Sequence, residues 1–239
     1  MGRHGTIAGR KSAQDARRAA MFTKYTRQII VAAKDGGDPD FNPSLRVAID
    51  KAKGIGMPND NINRAIKKGT GELAGESYEE LSFEGYGTSG VAIIVEALTD
   101  NKNRTAAFVR SIFDKNGGNL GTPGCVSYMF DRKGVIVVEK TDDIDEDTIT
   151  MDALDAGAED LIVNEDNYEI RTEPSDYTTV LEAVKAAGYE VVESEIEFIP
   201  SMEANVTDES AIKSLNKLIN ALEDNDDVQN VHYNCTLPE

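Results

Sequence analysis

The stretch RKSAQDARRAAMFTKYTRQIIVAAKDGG, residues 10–37, reads as one amphipathic helix stopped by a glycine pair. Ser12 and Asp15 stand three apart at its start, the spacing of a capping box, and Gly36-Gly37 ends it. At 100° per residue Phe22, Tyr25, Thr26, Ile29 and Ala33 share one arc, the pattern of a core-facing stripe. Arg17, Lys24, Arg27 and Lys34 share another. No acid lies between Asp15 and Asp35, so the i,i+4 pairs that usually neutralise a helical charge stripe cannot form within the helix. Like charges along one ridge repel and call for an anionic partner; the plainer reading is a solvated face.

Two more helices follow. Asn42-Pro43 pairs a capping side chain with proline at the first helical position. That helix carries Leu45, Ala48, Ile49 and Ala52 inward, Arg46, Lys51 and Lys53 as its bases, and stops at Gly54. A connector through Pro58 leads to a third helix, starting near Asn59 or Asp60. It buries Ile62, Ala65 and Ile66, stops at Gly69, and carries Arg64, Lys67 and Lys68. The glycine-containing turn between these helices fits a helix-turn-helix or an ordinary short hairpin of a three-helix domain. Ahead of the first helix, a glycine-rich arm holds Arg3, His4, Arg10 and Lys11.

Charge separates this head from the rest. Residues 1–71 hold 14 Lys and Arg against six Asp, a net +8; the remaining residues hold 11 against 37, a net −26, within a 239-residue chain of net charge −18. Phosphate attraction is screened over roughly 8–10 Å at physiological salt, so a local basic patch on an acidic protein can still bind nucleic acid. The expected phosphate contacts are Arg3, Arg10, Lys11, Arg17, Arg18, Lys24, Arg27, Lys34, Arg46, Lys51, Lys53, Arg64, Lys67 and Lys68. Lys102 and Arg104 join them from a second helix start, where ordinary capping by asparagine is the competing reading.

Residues 70–80 read as a linker. Strands are expected at Glu80–Glu84 and Val91–Leu98, joined by Gly85-Tyr-Gly87-Thr-Ser-Gly90. That literal GxGxxG is followed by strand rather than helix, so it is a hairpin loop and not a dinucleotide fingerprint. A helix through Phe108, Val109 and Ile112 leads to a strand at Val126–Asp131. Gly134–Glu139, an acidic helix to about Asp155, Asp160–Val163, Tyr168–Arg171, a helix through Val180, Leu181 and Val184, and Tyr189–Ile199 follow in the ferredoxin-like order β-α-β-β-α-β. A helix over 207–224 and a strand at Val228–Tyr233 close the chain. The expected class is α+β, with a basic helical domain at 1–78. One α+β domain is expected at 79–133 plus 203–239, and an acidic ferredoxin-like domain is inserted at 134–202.

Chemistry is sparse. His4 and His232 lie near opposite ends of the chain, and no GxxxxGK[ST] is present. His232 and Cys235 would need two further ligands for a closed zinc site. Asp143, Asp145 and Asp147 begin like a calcium loop, but Thr148 replaces the required glycine and Leu154 the bidentate glutamate. No catalytic residue, metal site or cofactor is therefore assigned; an enzyme using loop 99–105 on a phosphorylated substrate is the remote alternative. Two cysteines without a CxxC fit a reducing cytoplasm, and no run approaches the ~20 apolar residues of a membrane span.

The residues also carry a resemblance. Arg10-Lys11, Gln14-Asp15, Phe22-Thr-Lys-Tyr25, Gly36-Gly-Asp-Pro39, Asn42-Pro43, Met57-Pro-Asn-Asp-Asn-Ile62 and Arg64-Ala-Ile-Lys-Lys-Gly-Thr-Gly71 resemble the YebC/PmpR family. So do Phe83-Glu-Gly-Tyr-Gly87, Asn103-Arg-Thr105, Gly117-Gly-Asn-Leu-Gly121 and Tyr128-Met-Phe130. The resemblance implies a helical bundle followed by two α+β domains, one inserted in the other. It implies a transcriptional regulator binding DNA, or, through the mitochondrial translational activators, a ribosome-associated factor that relieves stalling at consecutive prolines. A protein partner for the acidic domains is a further expectation. Many members place an aromatic ahead of the basic pair; here that region is Arg3-His4-Gly5-Thr6-Ile7, and the chain has no Trp.

Overall fold

The computed structural model describes residues 18–237. Helix α1 (Arg18–Ala32) runs into a 3-10 turn, Ala33–Asp35. Helix α2 (Pro43–Gly54) starts as its sequence dictates: the Asn42 side chain accepts from the Leu45 N–H, with Pro43 in the first turn. The same Asn42 amide donates to Ala32 O and Gly36 O, both at 2.8 Å. One side chain thus caps α2 and ties down the end of α1. Gly56 ends α2 in a left-handed conformation, φ 77, with Gly56 N bonded to Lys53 O and Met57 N to Ala52 O. This is the Schellman arrangement, and it turns the chain into α3 (Asn59–Gly69). Ile29, Ile30, Ala33, Leu45, Ile49, Ala52, Met57, Ile62 and Ala65 form the core of this head. Gly69 makes the close α1–α3 approach possible: a Cβ there would stand 2.6 Å from Ala33 Cβ and strike the Ile30 carbonyl.

Next come β1 (Glu79–Tyr86), β2 (Ala92–Thr99), α4 (Lys102–Lys115) and β3 (Asn119–Leu120). The chain continues through β4 (Phe130–Glu139), α5 (Glu146–Asp155), β5 (Asp160–Val163), β6 (Asn167–Thr172), α6 (Tyr177–Ala186) and β7 (Val191–Pro200). It ends with α7 (Glu209–Glu223) and β8 (Val228–Tyr233). One four-stranded sheet has the order β3-β1-β2-β8, the other β5-β6-β4-β7. In the second sheet β6 lies between β4 and β5, the split β-α-β arrangement of ferredoxin-like folds. Phe130–Ile199 form one compact unit. The helical head, the chain up to Met129 and the chain from Pro200 onward form the other, so head and first sheet belong together.

The hairpin reading of the glycine loop holds: Tyr86 pairs with Ala92 across it, and β1 and β2 are antiparallel. One strand boundary differs from expectation. Val126–Asp131 and Gly134–Glu139 are not two strands; a 3-10 turn at Ser127–Met129 leads into the single strand β4. The Glu84 carboxylate accepts from the N–H groups of Gly124, Val126 and Ser127 at 2.8–2.9 Å, which holds that segment as a turn. Gly134 lies within β4, paired with Thr172, and the Tyr177 ring stands 2.8 Å from where its Cβ would be, so the position has no room for a side chain.

Candidate nucleic-acid interface

The basic ridge of α1 does not face an external anion throughout. Arg27 Nη1 donates to Asp227 Oδ1 at 2.6 Å and to Leu98 O at 2.8 Å, and its guanidinium lies 5.0 Å from the Tyr78 ring centroid. Asp227 is itself buried, its side chain 7% exposed. It also accepts from Arg104 Nη2 at 2.9 Å and from Thr105 Oγ1 at 2.8 Å. Burial pushes the Asp227 carboxyl up, but the hydrogen bonds from Arg27, Arg104 and Thr105 outweigh it and hold the group below the usual carboxylate range. Hydrogen bonds to Asp227 and Asp100 raise the Arg104 guanidinium above its ordinary value.

The same ridge is tied down on either side. Lys24 Nζ donates to Glu223 O, the last residue of α7, at 3.0 Å, where the helix dipole favours a cation. Gln28 Nε2 donates to Gln229 Oε1 at 3.0 Å, and Lys34 Nζ to Tyr78 O at 2.6 Å. Lys24, Arg27 and Lys34 therefore join the head to the first sheet. This corrects the expectation that their mutual repulsion needs an outside anion: the compensating groups lie 44 to 200 residues away in sequence. Nothing local announced them. Asp227 closes the run Glu223-Asp-Asn-Asp-Asp, which on its own reads as a solvated acidic turn.

The other expected contacts separate into groups. Arg46 is half-buried and donates to Pro39 O at 3.2 Å; Lys51 is half-buried. The start of α4 is closed by Asn101, whose side chain accepts from Arg104 N at 3.0 Å. The ordinary capping reading accounts for that helix end, and Lys102 is exposed beside it. Arg3, Arg10, Lys11 and Arg17 lie outside the described residues, and Arg18 opens α1. What remains is on α3 and at the end of α2. Ile62 and Ala65 of α3 face the core, while Asn61, Asn63, Arg64 and Lys67 are exposed. Lys68 is half-buried, its side chain against Gly75, and Lys53 is exposed in the last turn of α2. Among the described residues, Lys53, Arg64 and Lys67 make no hydrogen bond or ion pair through their side chains. Arg64 and Lys67 are three apart, so they lie on one outward ridge, flanked by two amide side chains.

Residues singled out for other chemistry have structural work. Asp145 caps α5, accepting from Thr148 N at 2.9 Å and Thr148 Oγ1 at 2.8 Å. His232 is fully buried, with Nε2 2.8 Å from Glu96 Oε2. Burial pushes the Cys235 thiol up to about 11. Among the described residues, no group of three or more His, Cys, Asp or Glu side chains could hold a metal ion.

The TACO1/YebC N-terminal domain matches residues 3–72, and the TACO1/YebC second and third domain matches residues 78–235. The chain belongs to the TACO1/YebC family. It is 56% identical over 235 residues to a "probable transcriptional regulatory protein" of Clostridioides difficile, with 98% of each chain covered. A protein of the same description from Persephonella marina is 55% identical over 235 residues, covering 98% of this chain and 94% of that one. The crystal structure of a conserved hypothetical protein from Aquifex aeolicus superposes with TM-score 0.84 at 46% identity, covering 94% of this chain and 93% of that one. No helix among the described residues is long and apolar enough to cross a membrane.

Proposed function

We propose that this protein is a non-enzymatic, cytoplasmic regulator of gene expression that binds nucleic acid through its helical head, with α3 as the principal phosphate-contacting element. The observation that carries the reading is the outward ridge of Arg64 and Lys67, which is not neutralised among the described residues while much of the α1 ridge is. Lys53, in the last turn of α2, is exposed as well, and the sequence adds the bases Arg3, Arg10 and Lys11. Exposed asparagines beside cations suit hydrogen bonding to phosphate, sugar or base edges. The regulatory names of the relatives agree with this use.

Duplex DNA is the first target, as those names imply; ribosomal RNA would engage the same ridge. Cross-linking in cells followed by sequencing of the attached nucleic acid separates them. Discrete promoter fragments are expected for a transcriptional regulator, and predominant recovery of ribosomal RNA would replace that reading with a translational one. In vitro, binding should weaken steeply with salt, because phosphate contacts release counterions. A salt-independent interaction, or none with DNA, RNA or ribosomes, would overturn the nucleic-acid reading altogether.

A further inference from the structure

Residues 35–41, Asp-Gly-Gly-Asp-Pro-Asp-Phe, carry three of the six acids of residues 1–71 and no base. They lead from α1 to α2, and their sequence encodes a tight turn. Aspartate followed by proline suits the first two positions of a β-turn, and Phe41 N donates to Asp38 O at 3.2 Å. The Asp38 carboxylate accepts from Asp40 N at 3.0 Å. Pro39 and Pro43 restrict the backbone, and Arg46 donates to Pro39 O. Gly37 packs so closely on α3 that a Cβ there would stand 2.7 Å from Thr70 Cγ2. Asn42 turns inward, because its side chain caps α2 and binds the end of α1. The residue before it is left facing outward. Phe41 is 89% exposed; the next most exposed large apolar side chain among the described residues, Tyr128, is 67% exposed.

Single apolar side chains on a surface are common and need no explanation by themselves. This one differs in being held out. Burial of a phenyl ring is favourable, and a flexible loop would fold it back onto the head. Hydrogen bonds at Asp38, Pro39, Phe41 and Asn42 fix the turn in the other arrangement. An aromatic side chain positioned in advance is well suited to anchor an interface, because little ordering is left for the moment of binding. Its surroundings then select the kind of partner. Aromatic side chains that stack on nucleobases lie in positively charged grooves. Here Asp35, Asp38 and Asp40 are exposed, and among the described residues none of the three makes an ion pair. Arg46 at Pro39 O and Lys34 at Tyr78 O still leave an excess of acid around the turn. Phosphate is repelled by such a surface, whereas a basic protein surface is attracted to it.

We propose that the turn 35–41 is a protein-docking site: Phe41 enters an apolar pocket of a partner protein, and Asp35, Asp38 and Asp40 meet lysines or arginines on the rim of that pocket. The docking does not rest on the nucleic-acid reading. To test it, Phe41 of the full chain is replaced by photoreactive p-benzoylphenylalanine, cells of its own organism are irradiated, and adducts are identified at the level of the peptide. The expected adduct is on one protein, at a peptide carrying lysine or arginine. Its yield should fall several-fold with Asp38→Asn and Asp40→Asn together; asparagine at 38 keeps the acceptor for Asp40 N. The purified protein so identified should bind the wild-type chain and bind Phe41→Ala at least about tenfold more weakly. Phe41→Ala should leave the melting temperature and the affinity for duplex DNA and RNA unchanged. An adduct on nucleic acid, adducts spread over many proteins, no adduct, or a yield indifferent to the two carboxylates would overturn the proposal. So would a clear drop in the melting temperature of Phe41→Ala, which gives the ring an internal role, or a loss of nucleic-acid affinity, which makes it a base-stacking residue. Absence of nucleic-acid binding by the wild type would instead count against the function proposed above, while the adduct still decides the docking.

Discussion

Helices α1 and α3 are both basic, yet their cations do opposite things. Lys24 and Arg27 of α1, and Lys34 in the 3-10 turn that follows it, hydrogen-bond to a helix C-terminus, a buried carboxylate and a linker carbonyl. On α3, Arg64 and Lys67 stand exposed. The difference is not in the helices themselves, which share residue types and stripe geometry. It lies in what the chain brings up against each of them, and it makes α1 the structural helix and α3 the candidate binding helix.

The largest break in this comparison should come from Asp227→Ala. It leaves the Arg27 guanidinium, 12% exposed, without its carboxylate, a loss worth about 3–5 kcal/mol for a buried pair. Chemical denaturation should show it. The same group predicts an acid limb. Its carboxyl is depressed in the folded state, so its stabilisation is complete above the unfolded value of about 3.9. It is lost as pH falls through the lower folded value. In a stability–pH profile the wild type should lose this contribution below about pH 4, and Asp227→Ala should not.

Gly69→Ala comes next. The methyl group must displace the Ile30 carbonyl or Ala33, and overpacking of this kind costs about 1–3 kcal/mol, visible as a lower melting temperature. It tests whether α3 is held as a rigid platform against α1. Lys24→Gln is milder. It removes a cation from the end of α7 and should cost about 0.3–1 kcal/mol, with the salt dependence of nucleic-acid binding unchanged. Lys102→Gln should be the smallest, within about 0.5 kcal/mol in stability, because its exposed side chain lies beside a helix start already capped by Asn101.

Much of the fold was legible in local chemistry. Asn42-Pro43 announced α2, and the GxGxxG followed by Val91 announced a hairpin; the β-α-β-β-α-β order of the second unit followed from alternation and glycine spacing. The failures have one physical source. The Val126–Met129 segment has strand-like residues, yet the Glu84 carboxylate, about 40 residues earlier, holds it as a turn. Gly134, expected to open a strand, instead lies inside β4 and packs against Tyr177. The site fared similarly. Bases on α3 and the capping of α4 by Asn101 could be read from spacing. That Arg27 belongs to Asp227, 200 residues away, could not, because an ion pair across a tertiary seam leaves no periodic trace.

The division of labour between the two helices is tested most directly by the salt dependence of nucleic-acid binding for Arg64→Gln with Lys67→Gln. If Arg64 and Lys67 each contact a phosphate, the slope of log K against log salt on duplex DNA should flatten by about 1.8 in the double variant. Affinity should fall while unfolding stability stays within about 0.5 kcal/mol of wild type. An unchanged slope and affinity in the folded double variant would contradict the assignment of α3 as the binding helix.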